Sequence, residues 1–293
     1  MTRLALLADI HGNLPALEAL QRDLAQFTVE AVIVAGDVVN WGPFSAQVME
    51  RVVNEQWAVI RGNNEFYLLE YQTPREPEAW RHYTIPLWLK RQLAGRWHSV
   101  IAAWPDTLSL RFADAPPIRV VHGTPQGNSD PIYPTTPEAE LTPLLAGLEE
   151  RTLIAGHTHL PMDRRVNGWR LLNPGSVGLP MDGTFPASYM LLEASDGDWQ
   201  ATFRQVPYDN EPLFHEFERQ GFVEECGVVA HLAVEEFKTG RLRVLPFLSW
   251  HQATCPTAPL TADLLPEFAR ANIWDYTPRG FHVNLQGETR FPP

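Results

Sequence analysis

Short apolar runs that stop abruptly at polar residues set the rhythm of this chain. Residues 4–13 read LALLADIHGN: four or five apolar positions end at Asp9, and His11 follows two positions on. A run that short reads as a buried strand rather than a helix. The pattern recurs. AVIVA at 31–35 ends in Gly36 and Asp37, and WAVI at 57–60 ends in Arg61, Gly62, Asn63 and Asn64. Residues 118–121 end in His122 and Gly123; residues 152–155 end in Gly156, His157, Thr158 and His159. Each strand thus empties into an oxygen or nitrogen donor, usually beside a glycine that lets the backbone turn. Helical spacing intervenes. After Asn13, a capping residue, and Pro15, the positions Leu17, Leu20, Leu24 and Phe27 recur at three- and four-residue steps. Residues 44–55 repeat the theme with Val48, Val52 and Val53 inward. Strand–helix–strand units imply parallel pairing and an α/β fold. In such sheets, ligands gather beyond the carboxyl ends of the strands.

Residues 73–104 break this rhythm. They are helical by pattern and carry Trp80, Tyr83, Trp88, Trp97 and Trp104. The segment fits either a cap that stacks on substrate or a helical insertion that buries its aromatics, and the second is favoured because aromatic burial contributes heavily wherever it occurs. Residues 127–143, rich in Pro, Thr, Asp and Asn, read as a long loop just after His122. Leu171 and Leu172 close a further strand, and Asn173-Pro174-Gly175-Ser176 turns over the same end. Ser176 and nearby N–H groups there fit a phosphate contact or a purely structural turn. Beyond Val206, residues 211–220 and 224–239 read as helices stopped by Gly221 and Gly240. Residues 241–250 read as a strand that Pro246 confines to an edge. The remainder fits a wrap on the core, a dimer arm or a frame for substrate.

Composition narrows the class. The chain of 293 residues is long enough to bury a core without staples, and 44% hydrophobic with 20% charged residues is ordinary for a soluble enzyme. The 26 prolines exceed an average share of about 5%, and many lie beyond residue 204. A net charge of −12 disfavours generic nucleic-acid binding. Cys226 and Cys255 fit reduced thiols better than a disulfide framework. No charged leader precedes a long apolar segment, and Asp9 interrupts the first apolar run. Signal peptide and membrane span are therefore not expected, and the reading is a cytoplasmic protein with no membrane partner.

A carboxylate and an imidazole at the mouth of a buried strand are costly unless they hold something charged. The donors are Asp9 and Asp37, the amide oxygen of Asn63, and the imidazoles of His11, His122, His157 and His159, with no thiolate. That mixture suits Mn, Fe or Zn ions more than Ca²⁺, and it lacks the thiolates of a structural zinc site. Seven donors are too many for one ion and fit two if a carboxylate is shared. The ordered set Asp9-Ile10-His11, Gly36-Asp37, Gly62-Asn63, His122 and Gly156-His157-Thr158-His159 resembles the motif series of the calcineurin-like metallophosphoesterases. The likeness is greatest to the small bacterial and archaeal phosphodiesterase branch, through His11-Gly12-Asn13, Gly42-Pro43, the GHTH and the NPGSVG from Asn173 to Gly178. It covers roughly the first 205 residues.

The resemblance implies a four-layer αββα sandwich over residues 1–206, with a helical insertion at 73–104 and a C-terminal extension at 207–293. It implies Asp37 as the bridge between two divalent ions, with manganese favoured. One ion would take Asp9, His11, Asp37 and His159; the other Asp37, Asn63, His122 and His157. The implied chemistry is hydrolysis of phosphodiesters or phosphomonoesters by a metal-bridging hydroxide, with a small phosphoester as substrate and no side-chain nucleophile. Asn13, Asn64 and Ser176 are the expected substrate contacts. Many relatives carry His where Asn64 stands, and an amide cannot supply a proton at neutral pH. Substrates with good leaving groups, such as aryl or nucleotidyl esters, are therefore expected, unless an acid such as Glu65 or His82 fills the gap. The competing reading is a metal-binding regulatory or scaffolding protein with weak turnover. A homo-oligomer formed through the C-terminal extension is a further expectation.

Overall fold

Alternation along the first strand decides the layering. In β1 (Arg3–Leu7), Leu4 and Leu6 face one side with Ala8 just beyond, while Ala5 and Leu7 face the other, and all are buried. A strand covered on both faces belongs to the middle of a layered fold. The computed structural model describes residues 1–77 and 84–284. After β1 come α1 (Leu14–Leu24), β2 (Ala31–Val34), α2 (Ser45–Asn54) and β3 (Ala58–Val59). Three helices follow: α3 (Asn63–Glu70), α4 (Ile85–Leu93) and α5 (His98–Ala103). The next stretch runs β4 (Leu108–Leu110), β5 (Ile118–Val120), α6 (Glu138–Leu145), β6 (Thr152–Ile154), β7 (Met162–Val166) and β8 (Trp169–Asn173). Two long strands, β9 (Ala187–Ser195) and β10 (Asp198–Val206), precede α7 (Glu211–Arg219), α8 (Phe222–Thr239) and α9 (Val244–Thr254).

The strands form two five-stranded mixed sheets, ordered β10-β9-β1-β2-β3 and β4-β5-β6-β8-β7. Pairing is parallel from β1 through β3 and from β5 through β6 to β8, with antiparallel strands at the flanks. Leu4, Leu6 and Ile33 of the first sheet meet Val120, Ile154 and Leu172 of the second in one buried layer. The opposite face of the first sheet packs on Leu17 and Leu20 of α1 and Val48 and Val52 of α2. The opposite face of the second sheet carries Leu153 and Leu171 against Leu141 and Leu145 of α6. Helix, sheet, sheet, helix: the layers are the expected ones.

Two local expectations change. Residues 244–254 form a helix, not an edge strand. Pro246 sits in its first turn, where no intrahelical N–H is needed, and Phe247, Trp250 and His251 are buried at helical spacing. The loop expected at 127–143 contains the start of α6, because Leu141 and Leu145 find apolar cover four residues apart. Within 73–104, Trp88 and Trp97 are buried, and Trp88 lies 4.3 Å from the ring of Phe222 in α8. These two tryptophans serve the core, while Trp80, Tyr83 and His82 lie outside the described residues. The C-terminal helices share one apolar cluster with α4 and with Leu160, Leu179 and Met181 beside the GHTH and NPGSVG segments. Among the described residues no helix is long and apolar enough to cross a membrane.

Candidate metal centre

Main-chain bonds beyond the strand ends bring the donor loops together. Asp9 N–H donates to Gly36 O at 3.1 Å, and His11 N–H to Asp37 O at 3.0 Å, so the first two loops of the first sheet run side by side. In the second sheet Gly156 N–H donates to His122 O at 2.8 Å. His157 N–H then crosses to the Asp9 carboxylate at 3.1 Å and joins the two halves. The NPGSVG segment fastens them further, with Val177 N–H on Ala8 O and Gly178 N–H on Asp9 O, both at 3.0 Å.

This scaffold produces two groups of donor atoms: Asp9, His11 and His159, and Asp37, His122 and His157. Each group draws on both sheets. Asp37 Oδ2 lies 3.2 Å from His122 Nε2 and 3.7 Å from His11 Nε2, between the groups. Asn63 Oδ1 is 3.0 Å from His122 Nε2. All seven expected donors therefore meet at one place, buried except at the rim formed by Asn63 and His157.

Ring nitrogens show whether the cage fits cations. His122 Nδ1 reaches Ala35 O at 2.7 Å, His159 Nδ1 reaches Leu179 O at 2.5 Å, and His157 Nε2 reaches Ser129 O at 3.0 Å. Donation to a carbonyl engages one ring nitrogen and turns the other into the cage, the usual outer arrangement of a ligating histidine. His11 Nε2 and His159 Nε2 face each other at 3.1 Å, and His11 Nδ1 is buried without a hydrogen-bond partner among the described residues. Ring nitrogens that close share a proton or hold a metal ion between or beside them. The donor set fits a pair of divalent cations.

Titration is distorted accordingly. Burial opposes a charged His122, but the Asp37 carboxylate and its hydrogen bond outweigh it and push the imidazole up to about 10. Burial pulls His11 down to about 4, and burial with the His122 charge does the same for His157. Burial would raise Asp37, yet the charge and hydrogen bond of His122, with His11, hold it well below the usual carboxylate range.

The backbone is strained at the same points. Asp9, His11, Asp37, His157 and His159 all have positive φ, between 49° and 67°. Left-handed backbone is uncommon for residues other than glycine and clusters at ligand clamps. A β-carbon on Gly62 would overlap Asp37 Oδ1, which is why glycine precedes Asn63.

Several expected roles change on inspection. Asn13 is fully buried: its Oδ1 accepts from Ala16 N–H, and its amide donates to Gly178 O and Tyr208 Oη. Ser176 is also fully buried, donating to Asp9 O and accepting from Leu179 N–H. Both clamp the loops, and their burial removes them as phosphate contacts. Asn64 is 3% exposed and lines the recess, but its Nδ2 donates to Asp37 Oδ2 at 2.5 Å and its Oδ1 accepts from Asn40 at 2.7 Å. In this geometry it positions the Asp37 carboxylate. Glu65 is no free acid either: its carboxylate accepts the N–H groups of Asp37, Val38, Val39 and Gly62 at 2.7–3.3 Å. The signal for that brace was present, since a Glu at the third position of a helix commonly bonds back to its start. Trp41, Tyr133 and Glu236, which also line the recess, carried no such signal.

Residues 2–197 match the profile of the calcineurin-like phosphoesterase superfamily domain. The phosphodiesterase YfcE of Escherichia coli K12 is 28% identical over 203 residues, 66% of this chain and 88% of that protein. A metallophosphoesterase structure from Sphaerobacter thermophilus superposes with a TM-score of 0.65 at 23% identity, covering 82% of this chain and 99% of that one. A hypothetical protein from Pyrococcus horikoshii OT3 superposes at 0.69 and 20% identity, covering 83% and 100%.

Proposed function

The chain belongs to the calcineurin-like phosphoesterase superfamily, and from that premise we propose that it is a dinuclear metal-dependent phosphoesterase acting on small phosphodiesters or phosphomonoesters. The observation that carries this reading is the pair of three-donor groups, each drawn from both sheets and adjoining at Asp37. When bound, two divalent ions supply the positive charge that draws a phosphoryl oxygen and acidifies a water toward neutrality. The chain's own residues do the rest. Asp9 and Asp37 offset half of that charge, so the site keeps a net attraction for an anion. Ala35, Leu179 and Ser129 carbonyls fix three imidazoles in place before substrate arrives. Asn64 and Glu65 hold the Asp37 carboxylate and its loop still, so little reorganisation is needed during the reaction.

With an amide at position 64, the leaving group departs largely unassisted, so aryl esters are the substrates of choice. Manganese is the favoured ion from the oxygen and nitrogen donors. The test is reconstitution with Mn²⁺, Fe²⁺ or Zn²⁺, elemental analysis, and hydrolysis of p-nitrophenyl phosphate and bis(p-nitrophenyl) phosphate. The expected result is two ions per chain and metal-dependent release of nitrophenol, lost more than about 100-fold in Asp37→Asn. Two ions bound with no ester hydrolysed would favour the scaffold instead.

A further inference from the structure

The metal centre forms the floor of a recess of about 170 Å³ whose walls include Trp41, Tyr133, Leu242, Val244, Leu245 and Phe281. A second recess of about 110 Å³ shares Trp41, Val244 and Leu245 and continues past Ile85 and Leu248. Neither has a lysine or arginine among its described lining residues. Four of the six wall residues come from the C-terminal extension: Leu242 in the α8–α9 turn, Val244 and Leu245 in the first turn of α9, and Phe281 in the 3₁₀ turn Arg279–Asn284.

These walls are held in place. Phe281 meets the Tyr133 ring edge-on at 5.3 Å, and Gly280 lies so close that a β-carbon there would overlap that ring. Glu236 accepts the N–H groups of Arg243 and Val244 at 2.6 and 2.8 Å and so fixes the α8–α9 turn beside the site. Trp41 adopts φ +66°, a costly conformation for a bulky side chain. Leu245 borders both recesses yet is 44% exposed.

We propose that the C-terminal extension is the specificity element of the site, forming with Trp41 and Tyr133 an apolar channel for the alcohol portion of a phosphoester that carries a single phosphate. This rests on the phosphoesterase reading and deepens it. The occupant follows from the chemistry of the walls. A second phosphate, as in a nucleoside polyphosphate, would lie along the channel with no cation from the protein, and Glu236 adds a carboxyl group to the wall. A sugar would set most of its hydroxyls against tryptophan, leucine, valine and phenylalanine, with few polar partners. An alkyl or aryl group loses only its contact with water.

The test uses the manganese-reconstituted full chain and a series of alkylphosphonates from methyl to octyl, whose affinities are read by calorimetry. Affinity is expected to rise about fourfold for each methylene covered, so with about three covered the gain from methyl to octyl is roughly 60-fold. Leu245→Asp and Phe281→Ala are each expected to cut that octyl-to-methyl ratio at least fivefold, with folding checked by circular dichroism. Phe203→Asp, at an exposed apolar position on β10 away from the channel, should leave the ratio unchanged. A flat series in the unmodified chain overturns the proposal, as does a ratio preserved in both channel variants. A dimer that Leu245→Asp dissociates while the ratio stays fixed overturns it too, and makes the face an interface between copies. Turnover of p-nitrophenyl phosphate is followed separately: its absence counts against the phosphoesterase, while the phosphonate ratio still decides the channel.

Discussion

Glu65→Gln should behave as a metal-site variant although Glu65 touches no ion. The carboxylate is fully buried, with Oε1 accepting from Val38 and Val39 and Oε2 from Asp37 and Gly62. Burial, with the neighbouring Asp37 charge, pushes the group up to about 7 against the pull of those donors. Glutamine keeps the size and one acceptor oxygen. Whichever way the amide turns, its NH₂ then faces two main-chain N–H donors, and two buried hydrogen bonds are lost. Each buried donor left unsatisfied costs about 1–3 kcal/mol, roughly 2–6 kcal/mol for the two, and removing a charge that burial opposes returns on the order of 3 kcal/mol above pH 7, so the net loss there is up to about 3 kcal/mol.

That is a large part of a folding stability of about 5–15 kcal/mol. At about 2–4 °C per kcal/mol for chains of comparable size, the midpoint should fall by up to about 10 °C. Where the NH₂ replaces Oε2, the freed N–H groups belong to Asp37 and to Gly62, which precedes Asn63; where it replaces Oε1, they belong to Val38 and Val39, directly after Asp37, so either way the Asp37 loop shifts. Manganese affinity should fall by about 10–100-fold, the usual range for groups that orient ligands. Differential scanning calorimetry and manganese titration of the purified variant test both halves. A midpoint within 2 °C of the unmodified chain, together with unchanged affinity, would refute the idea that Glu65 organises the site.

Other outcomes follow from the same geometry. Because each donor group spans both sheets, chelation should lower the midpoint by several degrees and added Mn²⁺ should restore it, since saturation at 100 times Kd contributes about 2.7 kcal/mol per site; a midpoint indifferent to EDTA would mean that no ion bridges the sheets. Asn64→His should raise the ratio of kcat/KM for poor relative to good leaving groups by at least about tenfold, and an unchanged ratio would remove proton donation as the limit at that position. Glu236 is raised by burial from 4.5 to about 7. Its folded form holds the proton more tightly than the unfolded one, so the stability it contributes is complete below pH 4.5 and is lost as pH rises through 7. Glu236→Gln, which keeps an acceptor for Arg243 and Val244, should match the unmodified chain near pH 4.5 and exceed it above pH 7 by on the order of 3 kcal/mol; parallel denaturant titrations would settle the sign.

Much of this site is readable from sequence because its strands are short and buried on both faces. An apolar run such as that at 31–35 ends visibly, and the residue beyond it must lie at the sheet edge. Asp9, Asp37, His122 and His159 were found that way. The clamps were harder. Asn13, Ser176 and Asn64 look like polar groups at a phosphate site, and only burial and spent hydrogen bonds show that they tie loops together. The C-terminal part was least legible. Helical periodicity tells which face of α8 is apolar, not what it will cover, and Pro246 reads equally as a strand edge or as the first turn of a helix. That Leu245 and Phe281 stand over a centre assembled from donors between residues 9 and 159 is a tertiary fact.

Backbone strain connects these observations. Five of the seven donors are left-handed, at a cost of about 1–2 kcal/mol each. No local preference of Asp or His explains five such residues in one place, so the conformation must be imposed from outside. The cross-links that impose it are those of the clamps: Ser176 on Asp9 O, Glu65 on Asp37 N–H, and Asn173 on Gly156 O, just before His157. The expected ligands are thus posed by the fold itself, so most of the ordering cost of holding a cation would fall on folding rather than on binding. Substitution of a clamp should therefore weaken metal affinity as substitution of a ligand does, while leaving all seven donors chemically intact. A family that varied its clamps could tune the affinity of the centre without touching the residues that define it.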